Sequence, residues 1–394
     1  MISRNLRHFR VFLAVADLRT PTAAAEKCLV SQPAVTQALA KLEREAGGKL
    51  FKRTRHGFFL NERGQTLEAR LRRALDRLDN KMSEVSPRLV VTATFAQLQA
   101  LIAMSEAQSF MLAARHLGLA QPTVHRAITL FEQEAGRSLF ERTSFGLVAT
   151  KPCREIAQAA RIAFAEFDQA DADLAEFDGR EVGSIRIGAL PLSRAHLLPE
   201  AIARFRRDRP LQTITVIDGT YKEMLTGLRN GDIDCIIGAL RTPLPVEDVV
   251  QEPLFSDHLV VVARPGHPLE KGANFSLDVL VQHPWVVPRP NTPTREQFDQ
   301  LFDSQGMAMP DSVVECGSIL LIRELLSKSD LLGCISEQQV KREVGDGTLV
   351  ELHTGIDWPG RDIGLTIRSN WVPTRAQGEL MDILRQVAKT LVRS

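Results

Sequence analysis

Ser31-Gln32-Pro33-Ala34-Val35-Thr36-Gln37-Ala38-Leu39-Ala40-Lys41-Leu42-Glu43-Arg44-Glu45-Ala46-Gly47 is answered 89 positions later by Ala120-Gln121-Pro122-Thr123-Val124-His125-Arg126-Ala127-Ile128-Thr129-Leu130-Phe131-Glu132-Gln133-Glu134-Ala135-Gly136. The offset holds without a gap through Gly57 and Gly146, and about half of the positions from Gln32 to Gly57 are identical in the second copy. Solenoids repeat at short periods and need three or more units; two copies at this period, followed by a large unrelated segment, indicate a duplicated module.

Each copy has the pattern of a helix-turn-helix. Ala23-Ala24-Ala25-Glu26-Lys27-Cys28 and Ala113-Ala114-Arg115-His116-Leu117 read as short helices whose small side chains permit a close crossing. Pro33 and Pro122 fall in the first turn of the next helix, where a missing N–H does no harm. Ser31 can cap that helix; its counterpart Ala120 cannot. Val35, Leu39, Leu42 and Ala46 form the buried stripe. The other face presents Gln32, Ala34, Thr36, Gln37 and Lys41, short polar groups for base edges and a cation for phosphate. In the second copy that face carries Gln121, Thr123, His125 and Arg126. Leu50 to Leu60 reads as two short strands around a turn, a wing whose Arg53, Arg55 and His56 are basic. In the second wing Arg142 is retained, but Lys52 becomes Glu141 and Arg55-His56 becomes Ser144-Phe145, an apolar tip suited to protein packing.

Gln-Pro-Ala-Val, then Leu-Glu, then Gly, then Leu-Phe-x-Arg-Thr resembles the winged helix-turn-helix of LysR-type transcriptional regulators, here present twice. In single-module members one linker helix pairs with its twin in a dimer. This chain has two such helices, a departure that leaves the dimer geometry open.

The length of 394 residues predicts two or three domains. The net charge of +1 is unevenly spread: residues 1–64 hold 12 Lys and Arg against 5 Asp and Glu, residues 89–153 only 5 against 4. Phosphate neutralisation supplies most non-specific DNA affinity, so the first copy is expected to dominate binding and the second to act as a spacer or weaker reader. Five scattered cysteines with no Cys-x-x-Cys pair predict free thiols in a reducing compartment and no metal site. No apolar leader and no membrane-length apolar run is evident, so a cytoplasmic protein is expected.

The expected organisation is a first winged module at 1–64, a linker helix at 65–88 ended by Pro87, a second module at 89–153, a second linker helix at 154–180 and an α/β domain at 181–394. Leu67, Leu71, Leu75, Leu78 and Met82 mark the packing edge of the first linker helix. From Ser184 onward β-α-β-α-β order implies parallel sheets covered by helices. Gly-Asp-Ile-Asp at 231–234 and Arg-Pro-Gly-His-Pro-Leu at 264–269 resemble the effector-binding domain of LysR regulators, which implies a two-lobed periplasmic-binding-protein-like fold. The lobes are expected at about 181–267 with 363–394, and about 268–362. Ala189 to Arg194 and Asp218 to Tyr221 further resemble the galactose-binding-protein regulator branch, implying a sugar or sugar acid. A small carboxylate stays open as the effector.

Open α/β sheets bind ligands beyond the carboxyl ends of their strands. That places Leu190, Pro191, Ser193, Thr220, Tyr221, Ala239 and Leu240 in one lobe, and Arg289, Asn291, Thr292, Arg295 and Ser318 in the other, as candidate effector contacts. Hydroxyls and N–H groups at helix starts and two arginines favour an anion.

The resulting expectation is a regulator whose operator binding or activation responds to a small metabolite. Its partners are double-stranded DNA and the effector, it forms a homodimer or homotetramer, and RNA polymerase stays open as a further partner. No cofactor is expected. No G-x-S-x-G element, phosphate loop or paired metal ligands argue for an enzyme, and His196, His258, His267, His283 and His353 are scattered. Two alternatives remain: an architectural DNA-bridging protein with a vestigial cleft, and a thiol redox sensor.

Overall fold

The computed structural model describes residues 2–144, 146–272 and 275–391, so the wing-tip residue Phe145 lies outside the described residues. The chain divides into two compact units, the first built from the N-terminal modules and the second from most of the α/β region.

The first module comprises α1 (Leu6–Leu18), α2 (Pro21–Lys27), α3 (Gln32–Glu45), the wing strands β1 (Phe51–Thr54) and β2 (Gly57–Leu60), and the linker helix α4 (Glu62–Ser83). A short α5 (Pro87–Thr92) leads to the second module: α6 (Phe95–Ala107), α7 (Phe110–Leu117), α8 (Gln121–Ala135), β3 (Phe140–Thr143), β4 (Gly146–Ala149) and the linker helix α9 (Lys151–Glu176). Pro87 does not end the first linker helix, as the expected 65–88 boundary had it. α4 stops at Ser83, and Pro87 opens α5 with Ser86 capping it, because its preset φ and absent N–H suit a first helical turn. The α4 edge is sealed: Leu67, Leu71, Leu75, Leu78 and Met82 are all buried. They belong to one apolar cluster that runs from Ile2 to Leu174 through both modules and both linker helices.

In the α/β domain, β5 (Ser184–Ala189), α10 (Leu197–Asp208), β6 (Thr213–Ile217), α11 (Tyr221–Asn230), β7 (Cys235–Ala239) and β8 (Val249–Asp257) come first. There follow β9 (Leu259–Ala263), α12 (Leu277–Leu280), β10 (Trp285–Val287), α13 (Pro293–Asp303), β11 (Val313–Glu315), α14 (Ile319–Lys328), β12 (Leu332–Ser336), α15 (Glu337–Gly345) and β13 (Val350–Glu351). Then β14 (Arg361–Arg368) and α16 (Arg375–Leu391) close the described chain. One sheet has the order β6-β5-β7-β14-β8 and the other β11-β10-β12-β9-β13, which is the expected two-lobed architecture.

Two expectations are corrected here. β9 pairs antiparallel with β12 and β13 in the second sheet, so the chain changes lobes at Asp257–His258 and not near residue 267; it returns at β14, from Arg361 rather than 363. The sheets are also mixed and not purely parallel, since β14 runs antiparallel to both β7 and β8. β8 escaped the sequence reading because Pro253 interrupts it; at a sheet edge the missing N–H is tolerated. Opposite Pro253 the register slips between Ile363 and Gly364. Gly364 is required there, because a Cβ would stand 2.0 Å from the Glu252 carbonyl oxygen.

Candidate functional site

The repeated motif explains itself locally. Ser31 caps α3 by accepting the Ala34 N–H at 3.4 Å, whereas Ala120 offers α8 no side-chain cap. The shared glutamates are structural: Glu43 accepts the Leu50 N–H at 3.1 Å and Glu132 the Leu139 N–H at 2.7 Å, each tying its wing to its recognition helix. Gly47 and Gly136 sit at φ +78° and +68°, a left-handed turn that glycine adopts without Cβ strain. With the backbone so held, Gln32, Pro33, Ala34, Thr36 and Gln37 are exposed along α3, and Lys41 is half-buried. The equivalent Gln121, Thr123, His125 and Arg126 are exposed along α8. His125 packs 5.0 Å from the Phe110 ring, and its Nδ1 lies 3.4 Å from the Thr129 hydroxyl.

The wings differ more than the helices. Arg53, Arg55 and His56 are exposed, with the Arg53 guanidinium 5.1 Å over Phe58 and Arg19 4.9 Å over Phe59. Such stacking orients a cation without neutralising it. In the second wing Leu147 and Val148 replace both rings, leaving Arg142 exposed beside Glu141. A concavity of about 400 Å³ between the start of α1 and the exposed face of α3 is lined by Asn5, Arg7, His8, Ala34, Gln37 and Lys41. Burial and the nearby Lys41 lower the His8 pKa. Arg7 was not among the predicted contacts; the 89-residue offset could have found it, because the uncharged Ala96 stands in its place. Likewise Lys41 becomes Leu130, an apolar side chain 43% exposed.

Net charge overstated the contrast between the copies. In the first module Arg4, Arg10, Lys27, Lys49 and Arg63 are spent in ion pairs. Arg7, Arg19, Arg44, Lys52, Arg53 and Arg55 are exposed and form no ion pair among the described residues, against Arg115, Arg126, Arg137 and Arg142 in the second.

In the α/β domain several predicted effector contacts prove to be committed to the fold. Leu190 is 9% exposed and packs with Met224, Leu228 and Ile236. Ser193 is fully buried, its hydroxyl donating to the Leu190 carbonyl at 2.8 Å. Thr220 forms a reciprocal cap with Glu223: its N–H and hydroxyl donate to that carboxylate at 2.8 and 2.9 Å, and its Oγ accepts the Glu223 N–H at 3.3 Å. The Glu223 carboxylate thus occupies the positive end of α11, where it would repel an anionic ligand. Arg295 is bound on both sides, to Asp299 at 2.6 Å and Glu315 at 2.5 Å. Leu190 is thus part of the apolar packing, and Ser193, Thr220 and Arg295 have partners in their own chain, as short polar side chains at helix starts and arginines beside acids commonly do.

Other candidates stay open. Pro191, Asn291 and Ser318 are exposed, and Ala239, Leu240 and Thr292 half-buried. Thr292 donates to the Arg289 carbonyl at 2.9 Å and caps α13, accepting the Arg295 N–H. Ser318 caps α14. Arg289 is exposed after β10, forms no ion pair among the described residues, and lies over Gly317, where a Cβ would stand 3.4 Å from its Nε. Arg289 and the start of α14 are thereby brought together. Tyr221 packs in the first lobe under Arg241, whose guanidinium is 4.6 Å from the ring; burial pushes the phenol pKa up. Arg241 was missed, although it directly follows Ala239-Leu240 at a strand end. A second missed group sits where the strands cross between lobes. Asp257, fully buried, accepts from Arg361 at 2.9 Å and from the Ser336 hydroxyl at 2.7 Å, while Arg361 also donates to Thr294 on α13.

Cys153, Cys235, Cys316 and Cys334 are buried and Cys28 partly so. Burial pushes the thiols of Cys153, Cys235 and Cys334 up to about 12, against the thiolate a redox sensor needs. Among the described residues no helix is long and apolar enough to cross a membrane.

A family model described as LysR substrate binding domain matches residues 178–389, and one described as bacterial regulatory helix-turn-helix protein, lysR family, matches twice, at 6–65 and 95–154. The HTH-type transcriptional regulator GalR of Pseudomonas putida is 36% identical over 388 residues, 97% of each chain, so that likeness runs through both winged modules. The uncharacterized HTH-type transcriptional regulator YdcI of Escherichia coli K12 is 30% identical over 271 residues, 69% of this chain and 88% of that one. Among solved structures, full-length LysG of Corynebacterium glutamicum with its bound effector Arg has a TM-score of 0.54 at 19% identity, covering 75% of this chain and 98% of that one. At that identity the likeness is one of fold.

Proposed function

The chain belongs to the LysR family of bacterial transcriptional regulators, and from that premise we propose that it reads its operator chiefly through α3 and the first wing and takes an anionic metabolite as effector at the strand ends of its C-terminal domain. On this reading the protein works in the cytoplasm as a homo-oligomer, with RNA polymerase as a further contact, and performs no catalysis. Gln32, Ala34, Thr36 and Gln37 meet base edges; Lys41, Arg53, Arg55 and His56, together with Arg7, meet phosphate.

The observation that carries the effector reading is Arg289, an exposed guanidinium with no carboxylate partner among the described residues, lying beside the capped start of α14. A guanidinium beside a helix N-terminus favours a carboxylate or phosphate. Arg241 over Tyr221 supplies a second cation at a strand end of the other lobe. Charge-assisted hydrogen bonds contribute about 1.5–3 kcal/mol each, and converting a 1:99 population to 99:1 needs about 5.5 kcal/mol of preference. About two to four such contacts made only in the closed arrangement are therefore enough. With Thr220 and Ser193 committed to the fold, a sugar acid or small carboxylate fits better than a neutral sugar.

The test is a thermal-shift screen of sugar acids, small aromatic and aliphatic carboxylates and neutral sugars, on the full chain and on Arg289→Gln. An acid that stabilises the native protein, fails to stabilise Arg289→Gln, and leaves operator affinity of the ligand-free variant intact supports the reading. Shifts that survive the substitution place the effector elsewhere.

A further inference from the structure

The two linker helices, which in this chain replace one, pack against each other antiparallel. Arg63, near the start of α4, meets Asp178, just past the end of α9, at 2.6 Å. Arg70, one turn into the buried edge, reaches Asp173 at 2.7 Å, Gln169 at 2.7 Å and Glu166 at 3.2 Å. Leu67, Leu71, Leu75 and Leu78 are buried on one helix, and Ile156, Ala160, Phe167 and Leu174 on the other, within the same apolar cluster.

This packing relates equivalent parts. α1 and α6, α3 and α8, β1 and β3, and α4 and α9 each begin 89 residues apart. An ion pair is also repeated: Arg72 with Asp17 and Arg161 with Glu106, both at 2.5 Å and both joining a linker helix to the first helix of its own module. Antiparallel pairing of two equivalent helices is what a twofold rotation produces at an isologous interface. Here the rotation lies inside one chain, and it uses up the apolar edge that would otherwise take a second chain.

We propose that a single chain is a complete two-headed reader: the α4–α9 pair presents α3 and α8 together to one operator, and that operator is asymmetric, with one half-site for each. This rests on the DNA-reading function proposed above. A twofold dimer of identical heads mirrors a palindrome. These heads are held like a dimer but differ at the surfaces they expose. α3 offers Thr36 and Gln37 with Lys41 beside them; α8 offers His125 and Arg126 with Leu130 in the cation's place. Arg126 can make a two-point contact with guanine, so the second half-site is read for sequence but held by fewer phosphates. The complex therefore has a direction: the first module fixes one end of the operator and the second the other.

The experiment uses the full-length chain and operators selected by it from a randomised duplex pool. Hydroxyl-radical footprinting and native mass spectrometry then measure protected patches per bound chain, for the native protein, for Thr36→Ala with Gln37→Ala, and for His125→Ala with Arg126→Ala. The expected result is a non-palindromic site with two patches for each bound chain. Each double variant loses protection over a different patch, and the His125/Arg126 variant loses about tenfold or more in affinity. A palindromic site needing two chains for two patches, with the His125/Arg126 variant binding like the native protein, overturns the proposal while leaving DNA reading intact. Failure of the native chain to enrich any sequence defeats the DNA-reading function itself, and the proposal with it.

Discussion

Arg70→Ala should loosen the N-terminal unit without touching the effector domain. The Arg70 side chain is 3% exposed and those of its partners Glu166 and Asp173 are 7% and 14% exposed. Burial already holds the Asp173 carboxyl above the usual carboxylate range with the guanidinium in place. Removing that guanidinium strands two carboxylates and the Gln169 amide oxygen in a cramped helix interface. Breaking a buried pair from one side costs about 3–5 kcal/mol. Arg73 still reaches Glu166 at 3.3 Å, which places the expectation near the lower figure. The pH dependence follows from the sign of the shift. A carboxyl whose pKa is raised by folding penalises the folded state when ionised, and the penalty disappears once it is protonated. The loss should therefore be largest at neutral pH and shrink as the pH falls through the raised Asp173 pKa toward the ordinary carboxylate range. The assay is built into the sequence, since all three tryptophans, Trp285, Trp358 and Trp371, lie in the effector domain. Urea unfolding followed by tryptophan fluorescence reports that domain, while far-ultraviolet circular dichroism is weighted toward the helical N-terminal unit. The dichroism transition should move to lower urea with the fluorescence transition unchanged. A loss under about 1 kcal/mol at pH 7, in the range of an exposed pair, or a loss that grows on acidification, would refute the reasoning.

Three further outcomes are expected. Arg53→Ala with Arg55→Ala should flatten the slope of log affinity against log salt by about 1.8, from two lost phosphate contacts, and Arg142→Ala by no more than about 0.9; equal slopes for the two variants in gel-shift titrations contradict the division between modules. Ser31→Ala should destabilise the first module by about 1 kcal/mol, and Ala120→Ser should stabilise the second by a similar amount, read by thermal melting. In the native protein at neutral pH a thiol reagent should titrate Cys28 alone, and all five cysteines only after unfolding, because the other four are buried; rapid modification of Cys316 or Cys334 would reopen the redox-sensor reading.

Local chemistry wrote the two winged modules of the N-terminal half. The 89-residue offset, the cap at Ser31, the glycines at 47 and 136 and the stripe from Val35 to Ala46 act within a few residues, so their consequences are legible without the fold; Ser86 and Pro87 mislead, because a proline after a helix signals its end and the start of another equally well. The same holds for the alternation of strands and helices after Ser184, and for the exposed faces of α3 and α8. What tertiary structure decided was the spending of polar groups. Nothing local says that Arg295 is held by Glu315, twenty residues away, that Arg4 and Arg63 are drawn to the end of α9, or that Asp257 joins Arg361 and Ser336 between lobes. A side chain's availability depends on what the rest of the chain brings near it, and charges separated by a hundred residues pair only once the backbone has placed them. For the same reason the pairing of α4 with α9 was out of reach of the sequence. Two amphipathic helices announce that each needs a partner, but an apolar edge is non-directional, and only the packed core determines that the partner is the other helix of the same chain.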